Sequence, residues 1–251
     1  MFLTYAALRE PVALPANAVA VLPLGAMETH GPHLPLGTDA AIADMLLDRA
    51  AAIYDGGAPI VRLPLLWLGA SAEHAHNAGT LSTEPEALIA QIVEIGKGIH
   101  HAGARRIVLF NGHGGNIALA QIAALKLRTQ ADMLAASVHW LDFGLPADVT
   151  PPTPVRGDVH GGWVETSVML HLAPHLVDMT TARAQPARPP APLLSPEGPI
   201  PWGWRSDDLG GSWIGHPELA TADLGRRLTD HAAERLCALL NELAAAPWPS
   251  R

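Results

Sequence analysis

One cysteine in 251 residues rules out an internal disulfide, and Cys237 reads as a small buried residue of a late helix. That usage suits a reducing compartment, so a cytoplasmic location is expected. No run of about 18 apolar residues occurs, which excludes a membrane-spanning helix. The opening MFLTYAALREP has neither a basic start nor a long apolar stretch, and no secretory leader is read there. Positive charge is also scarce. Sixteen Lys plus Arg against 24 Asp plus Glu give a net charge of −8 with His neutral, which argues against a nucleic-acid partner, since binding phosphates requires a basic face. Internal repeats and charge blocks are absent.

What the chain does have is apolar content and histidine. Hydrophobic residues make up 49% and charged residues 16%, a globular balance, and the length suits one large α/β domain spanning 1–251. Histidine numbers 13, nearly as many as Lys and Arg together, and metal chemistry accounts for some of them. Buried strands are predicted at Ala18–Leu24, Ile60–Leu65, Arg106–Phe110 and Met133–Val138, each short, apolar and partly β-branched. Helices are predicted after Thr38 and Asp39, after Ser82 and Thr83 with Pro85 in the first turn and Gly103 at the stop, over Ile117–Gln130, over Trp163–Leu172 and over Ala220–Ala245. Strands alternating with helices imply a mostly parallel sheet covered on both faces. The stretch 186–201, QPARPPAPLLSPEGPIP with Gln185 at its head, is too rich in proline for helix or central strand. It reads as an arm lying over the same domain.

Three segments carry potential chemistry. The first runs from Glu28-Thr29-His30 to Asp39, directly after the first predicted strand. In extended backbone, alternate side chains share a side, so Glu28 and His30 can aim at one place. Carboxylate with imidazole suits Zn, Mn or Fe. The competing reading is that Asp39 caps its helix and Glu28 is a solvated loop residue. The second is Asn111-Gly112-His113-Gly114-Gly115-Asn116. It presents His113 at the carboxyl end of a strand, where open α/β sheets place ligands. A phosphate loop is the rival, but no Lys or Arg follows and the Walker spacing is absent. The third is His160-Gly161-Gly162-Trp163-Val164-Glu165-Thr166-Ser167, with His160 before a helix and Glu165 in its first turns, a pairing fit for proton transfer beside a metal.

Together, LPLGAMETHGPHLPLGTDA (Leu22–Ala40), NGHGGN and HGGWVETS resemble the three signatures of the creatininase, or creatinine amidohydrolase, family. HAGARRIVLFNGH, His139–Phe143 and the late Ile214-Gly215-His216-Pro217 extend the likeness over nearly the whole chain. The resemblance implies a three-layer α/β/α fold, a homohexamer, two divalent ions per subunit (Zn, Mn or Fe) and hydrolysis of a C–N amide bond without a Ser or Cys nucleophile. By position it implies metal ligands Glu28, His30, Asp39 (bridging) and His113. It also implies His160 as proton carrier, with Trp140, Trp163 and His74 around the substrate. Creatininase has a glutamate where this chain has Gly115, so Glu165 is expected to complete the second metal and to share in catalysis. The implied substrate is a small or cyclic amide. The alternatives are a formamide, or a ribosomal peptide matured as in mycofactocin, or metal binding without catalysis. His33 reads as an orienting residue or a plain loop histidine. Default structural roles fall to His100, His101, His171, His175 and His231. Trp202, Trp204 and Trp213 read as pocket rim or subunit interface.

Overall fold

The computed structural model describes every residue except Pro11, Pro192, Ser195, Glu197, Gly198, Pro199, Pro201 and 249–251. Five strands, β1 (Phe2–Thr4), β2 (Val19–Leu24), β3 (Ile60–Arg62), β4 (Arg106–Asn111) and β5 (Leu134–His139), form one sheet in the order β1-β3-β2-β4-β5. Every pairing is parallel. The helices are α1 (Thr38–Ile53), α2 (Pro85–His101), α3 (Ile117–Ala131), α4 (Trp163–Leu172), α5 (Ser206–Leu209) and α6 (Ala222–Ala245).

The strand residues alternate between two cores, as a period of two requires. Val19, Val21, Val108 and Phe110 face a layer containing α1, α4 and α6. Ala20, Leu22, Leu24, Ile107 and Leu109 face α2 and α3. The result is the expected three-layer α/β/α sandwich. The chain leaves β2 toward β3 on one side, then returns across β2 to reach β4. Parallel crossovers are right-handed, so reversing direction puts α1 and α2 on opposite faces. The loops after β2 and β4 therefore part from each other, leaving a crevice at the carboxyl ends of two adjacent strands. Leu24 and Asn111 are register partners, so both loops start at one level.

Several boundaries moved. β3 ends at Arg62 rather than at residue 65, because Pro64 has no N–H for the ladder. Leu63 and Leu66 still donate to the carbonyls of Val21 and Pro23. α1 takes in Thr38 and Asp39, which were expected to precede it. Thr38 Oγ1 donates back to the Pro35 carbonyl at 2.7 Å, and Asp39 does not cap. α6 starts at Ala222 with Thr221 as its cap, accepting from the Leu224 N–H. β1 is too short to have shown a period and pairs only with β3. In the arm, residues 192, 195, 197–199 and 201 lie outside the described residues, and the described ones form no helix or strand.

Candidate metal centre

The crevice gathers side chains from five parts of the chain. Glu28 and His30 come from the loop after β2, Asp39 from the first turn of α1, and His113 from the loop after β4. Glu73 and His74 come from the turn before α2, and His160 and Glu165 from the entry to α4. Gly112 lets α1 reach this level, since a Cβ there would overlap the Asp39 carbonyl oxygen.

A chain of contacts ties the four ligands expected from the first two motifs. His30 Nε2 lies 3.1 Å from Asp39 Oδ1, Asp39 Oδ2 lies 3.1 Å from His113 Nδ1, and His113 Nε2 lies 3.4 Å from Glu28 Oε2. All four are at most 3% exposed. His30 Nδ1 donates to the Glu28 carbonyl at 3.0 Å, which fixes the ring and turns Nε2 inward. His160 Nε2 donates to the Thr29 carbonyl at 2.6 Å and leaves Nδ1 3.5 Å from Glu28 Oε1. Its ring stacks on His74 at 4.0 Å. Glu165 Oε2 accepts from the Gly161 N–H at 2.7 Å. Three triads have ligand atoms all within 4.8 Å of one another: Glu28–His30–His160, Glu28–Glu73–His113 and His30–Asp39–Glu165.

The electrostatics show a surplus of buried negative charge. Five carboxylates (Glu28, Asp39, Glu73, Asp158, Glu165) line the cavity, and among the described lining residues there is no Lys or Arg. Burial drives the Glu28 carboxyl up to about 8 against the pull of His113, and drives Glu165 up to about 7 against His30. Burial would lift Asp39 too, but the charge of His30 and the contact with His113 hold it below the usual carboxylate range. The two imidazoles respond in kind. Burial opposes their charge, yet Asp39 raises His30 to about 10, and Glu28 and Asp39 raise His113 to about 10. His160 and His74 go the other way. Burial and the neighbouring His30 depress both, His74 to about 3, so both are neutral imidazoles. Both Glu28 carboxylate oxygens are buried with no hydrogen-bond partner. Orphaned carboxylate oxygens, paired imidazoles and no fixed cation are the donor set a divalent metal requires.

The cavity has a volume of about 490 Å³, within the range of small-molecule sites. Trp202 and Trp204 line it, together with Pro196 of the arm. Trp140 and Trp163, expected to border the substrate, are not among the described lining residues of the cavity. Both are at most 2% exposed in the core beneath α1, α4 and α6, because the turn after β5 and the first turn of α4 point them into the sheet layer. His74 does line the cavity. Trp213 packs on His33 instead. His33 donates to the Gly161 carbonyl at 2.8 Å, holding the third motif against the first without touching a ligand.

Sequence reading passed over two residues. Glu73 stood beside His74 in a motif valued for its histidine. Asp158, two residues before HGG, accepts from the N–H groups of Trp163 (2.8 Å), Val164 (2.9 Å) and His216 (3.2 Å). It was findable only as a carboxylate close before a helix without its own cap.

A sandwich with such a cluster at a strand-end crevice defines a class, the metal-dependent hydrolases of α/β type. The profile of the creatinine amidohydrolase family matches residues 3–240, and the chain belongs to this creatininase family of metal-dependent amidohydrolases. It is 38% identical over 215 residues to the mycofactocin precursor peptide peptidase of Mycobacterium tuberculosis, covering 83% of this chain and 78% of that one. It is 30% identical to the creatinine amidohydrolase of Pseudomonas putida over 65% of this chain and 67% of that protein. A creatinine amidohydrolase candidate from Bacteroides fragilis has a crystal structure matching with a TM-score of 0.77 at 27% identity, over 91% of this chain and 90% of that one.

Proposed function

We propose that this is a cytoplasmic, dinuclear metal-dependent amidohydrolase that cleaves the C–N bond at a peptide end. The observation that carries the reading is the cluster of carboxylates and imidazoles around a cavity whose described lining residues include no lysine or arginine. Glu28 and His113 would hold one divalent ion, His30 and Glu165 the other, with Asp39 between them. Zn, Mn and Fe all suit this set. Such a pair lowers the pKa of water and polarises a carbonyl when bound. His160 presents Nδ1 to the cluster while Thr29 holds its other nitrogen, so it can take a proton and pass it to the leaving nitrogen. His74 and the indoles of Trp202 and Trp204 form the walls that position the amide.

No protein nucleophile is required. Cys237 donates to the Ala50 carbonyl in the core between α1 and α6. Ser71 lies 3.4 Å from His113 Nε2, but it is fully buried and absent from the cavity wall.

A peptide substrate is favoured because the peptidase relatives share more identity with this chain, over more of its length, than the creatinine amidohydrolase does. The second reading, a creatinine-like or formamide substrate, is favoured by the likeness to the P. putida enzyme. Assembly as a homohexamer and a single domain over 1–251 complete the proposal, and light scattering with limited proteolysis tests them. To test the activity, protein loaded with Zn, Mn or Fe is incubated separately with a mycofactocin-type precursor peptide, creatinine and a formamide. Truncation of the peptide at its end is the expected result. Turnover of creatinine alone selects the second reading, and metal binding with no hydrolysis of any amide overturns both.

A further inference from the structure

Position 115, where the family resemblance implies a glutamate, is glycine in this chain. A Cβ at Gly115 would lie 2.5 Å from Glu73 Oε1, 2.5 Å from the Ala70 carbonyl oxygen and 2.5 Å from His113 Nε2. The missing side chain therefore does more than remove a carboxylate. It lets the segment 70–73 settle against the second motif, and that segment brings another carboxylate with it. Glu73 Oε1 reaches 3.5 Å from His113 Nε2, on the side of the ring where Glu28 Oε2 stands at 3.4 Å.

We propose that Glu73 is a metal ligand, completing with Glu28 and His113 the first of the two centres, in space that Gly115 leaves open. Two independent observations point there. Glu28, fully buried, aims two unpartnered oxygens into the cluster. Glu73, a lining residue of the cavity, sets its Oε1 3.5 Å from His113 Nε2 although its side chain is 17% exposed. No Lys or Arg among the described residues pairs with Glu73, whose ion-pair contact is His113 alone. The Glu73 carbonyl accepts from the Ser206 N–H at 3.0 Å, so the segment is anchored from behind by the start of α5. On this assignment the triads Glu28–Glu73–His113 and His30–Asp39–Glu165 share no residue. Each centre then has its own imidazole, with Glu28 and Glu73 on the first and Glu165 on the second beside the shared Asp39.

The proposal rests on the dinuclear reading above, and the experiment separates the two. Wild-type protein, Glu73→Gln and Glu73→Asp are stripped, reloaded with Co²⁺ and dialysed against a graded chelator series. Metal content and the Co²⁺ ligand-field spectrum are then recorded, and far-UV circular dichroism confirms the fold. Expected are two ions in the wild type and loss of one in Glu73→Gln, with affinity at that site weakened by more than about 100-fold, beyond what loss of an orienting partner causes. A changed Co²⁺ spectrum is expected as well, with partial recovery in Glu73→Asp. Two ions held by Glu73→Gln with unchanged affinity and spectrum overturn the proposal and leave the dinuclear reading standing. So does an equal, modest weakening at both sites. Fewer than two ions in the wild type overturns the dinuclear reading itself.

Discussion

Asp158 offers a quantitative test of how the third motif is held. The residue is 7% exposed, and its carboxylate accepts three backbone N–H groups, two from the first turn of α4 and one from His216. The formal cap of α4, Gly162, has no side chain to offer, and it cannot have one. A Cβ at Gly162 would overlap Asp158 Oδ1, and one at Gly215 would come within 2.5 Å of the same atom. The carboxylate thus fills the space of two absent side chains and ties the loop bearing His160 to the helix bearing Glu165.

In Asp158→Ala those three N–H groups lose their acceptor. Each unsatisfied buried donor costs about 1–3 kcal/mol, and water entering the vacated volume returns part of that. The expected net loss is about 3–5 kcal/mol, which lowers Tm by about 6–20 °C for a chain of this size. Asp158→Asn keeps one acceptor oxygen and falls between the two. Burial lifts the Asp158 carboxyl above its ordinary value despite its N–H donors. With the folded value raised, this group favours folding at low pH and loses that contribution as pH rises through the folded value. The neutral amide escapes that loss, so the Asn variant retains more stability at neutral pH than a count of bonds suggests. Thermal unfolding of the metal-free proteins by circular dichroism reads both effects. An alanine variant melting within about 2 °C of wild type, at most about 1 kcal/mol, refutes the account.

Three further outcomes are expected. His160→Ala keeps its metal but loses amide turnover by about 100-fold or more, as removal of a proton carrier does; metal analysis beside a rate assay checks it, and a fully active variant removes His160 from the chemistry. Metal loading at pH 7 releases roughly three protons or more, because His30 and His113 are held charged, Glu28 and Glu165 are shifted toward their protonated forms, and coordination needs all four without those protons. Apparent affinity therefore rises with pH, and calorimetry in buffers of different ionisation enthalpy measures the release, with none contradicting the electrostatics described. Arg106→Met lowers stability by about 2–4 kcal/mol without altering metal content, since the buried guanidinium donates to the carbonyls of Ala16, Leu243, Ala246 and Trp248 and removing it leaves acceptors unmatched; an unchanged melting curve counts against that role.

The centre of the sheet was legible because β2 and β4 are buried throughout and so read as continuous apolar runs. The alternation of Val19 and Val21 with Ala20 and Leu22 between two layers is invisible in such a run, since both faces are apolar. What stayed hidden depended on contacts distant in sequence. β1 is three residues long and gains its identity only from β3. Trp140 and Trp163 lie in motifs full of site residues, yet helix and strand geometry turns them inward. Trp202 and Trp204 line the cavity far along the chain from the motifs that carry its ligands, a meeting that composition does not specify. Glu73 could not be weighed without knowing that a carbonyl of its own segment packs on Gly115.

The cluster's charge links folding to loading. Buried carboxylates without fixed cations would oppose folding strongly if all were ionised. The metal-free protein avoids this with protons: Glu28 and Glu165 are shifted toward their neutral forms, and His30 and His113 are charged. Protons therefore stand where divalent ions would otherwise balance the charge. This exchange also explains why a lysine or arginine would be harmful here. A permanent cation would neutralise the same carboxylates as well as a metal does, and would leave nothing for a metal to displace.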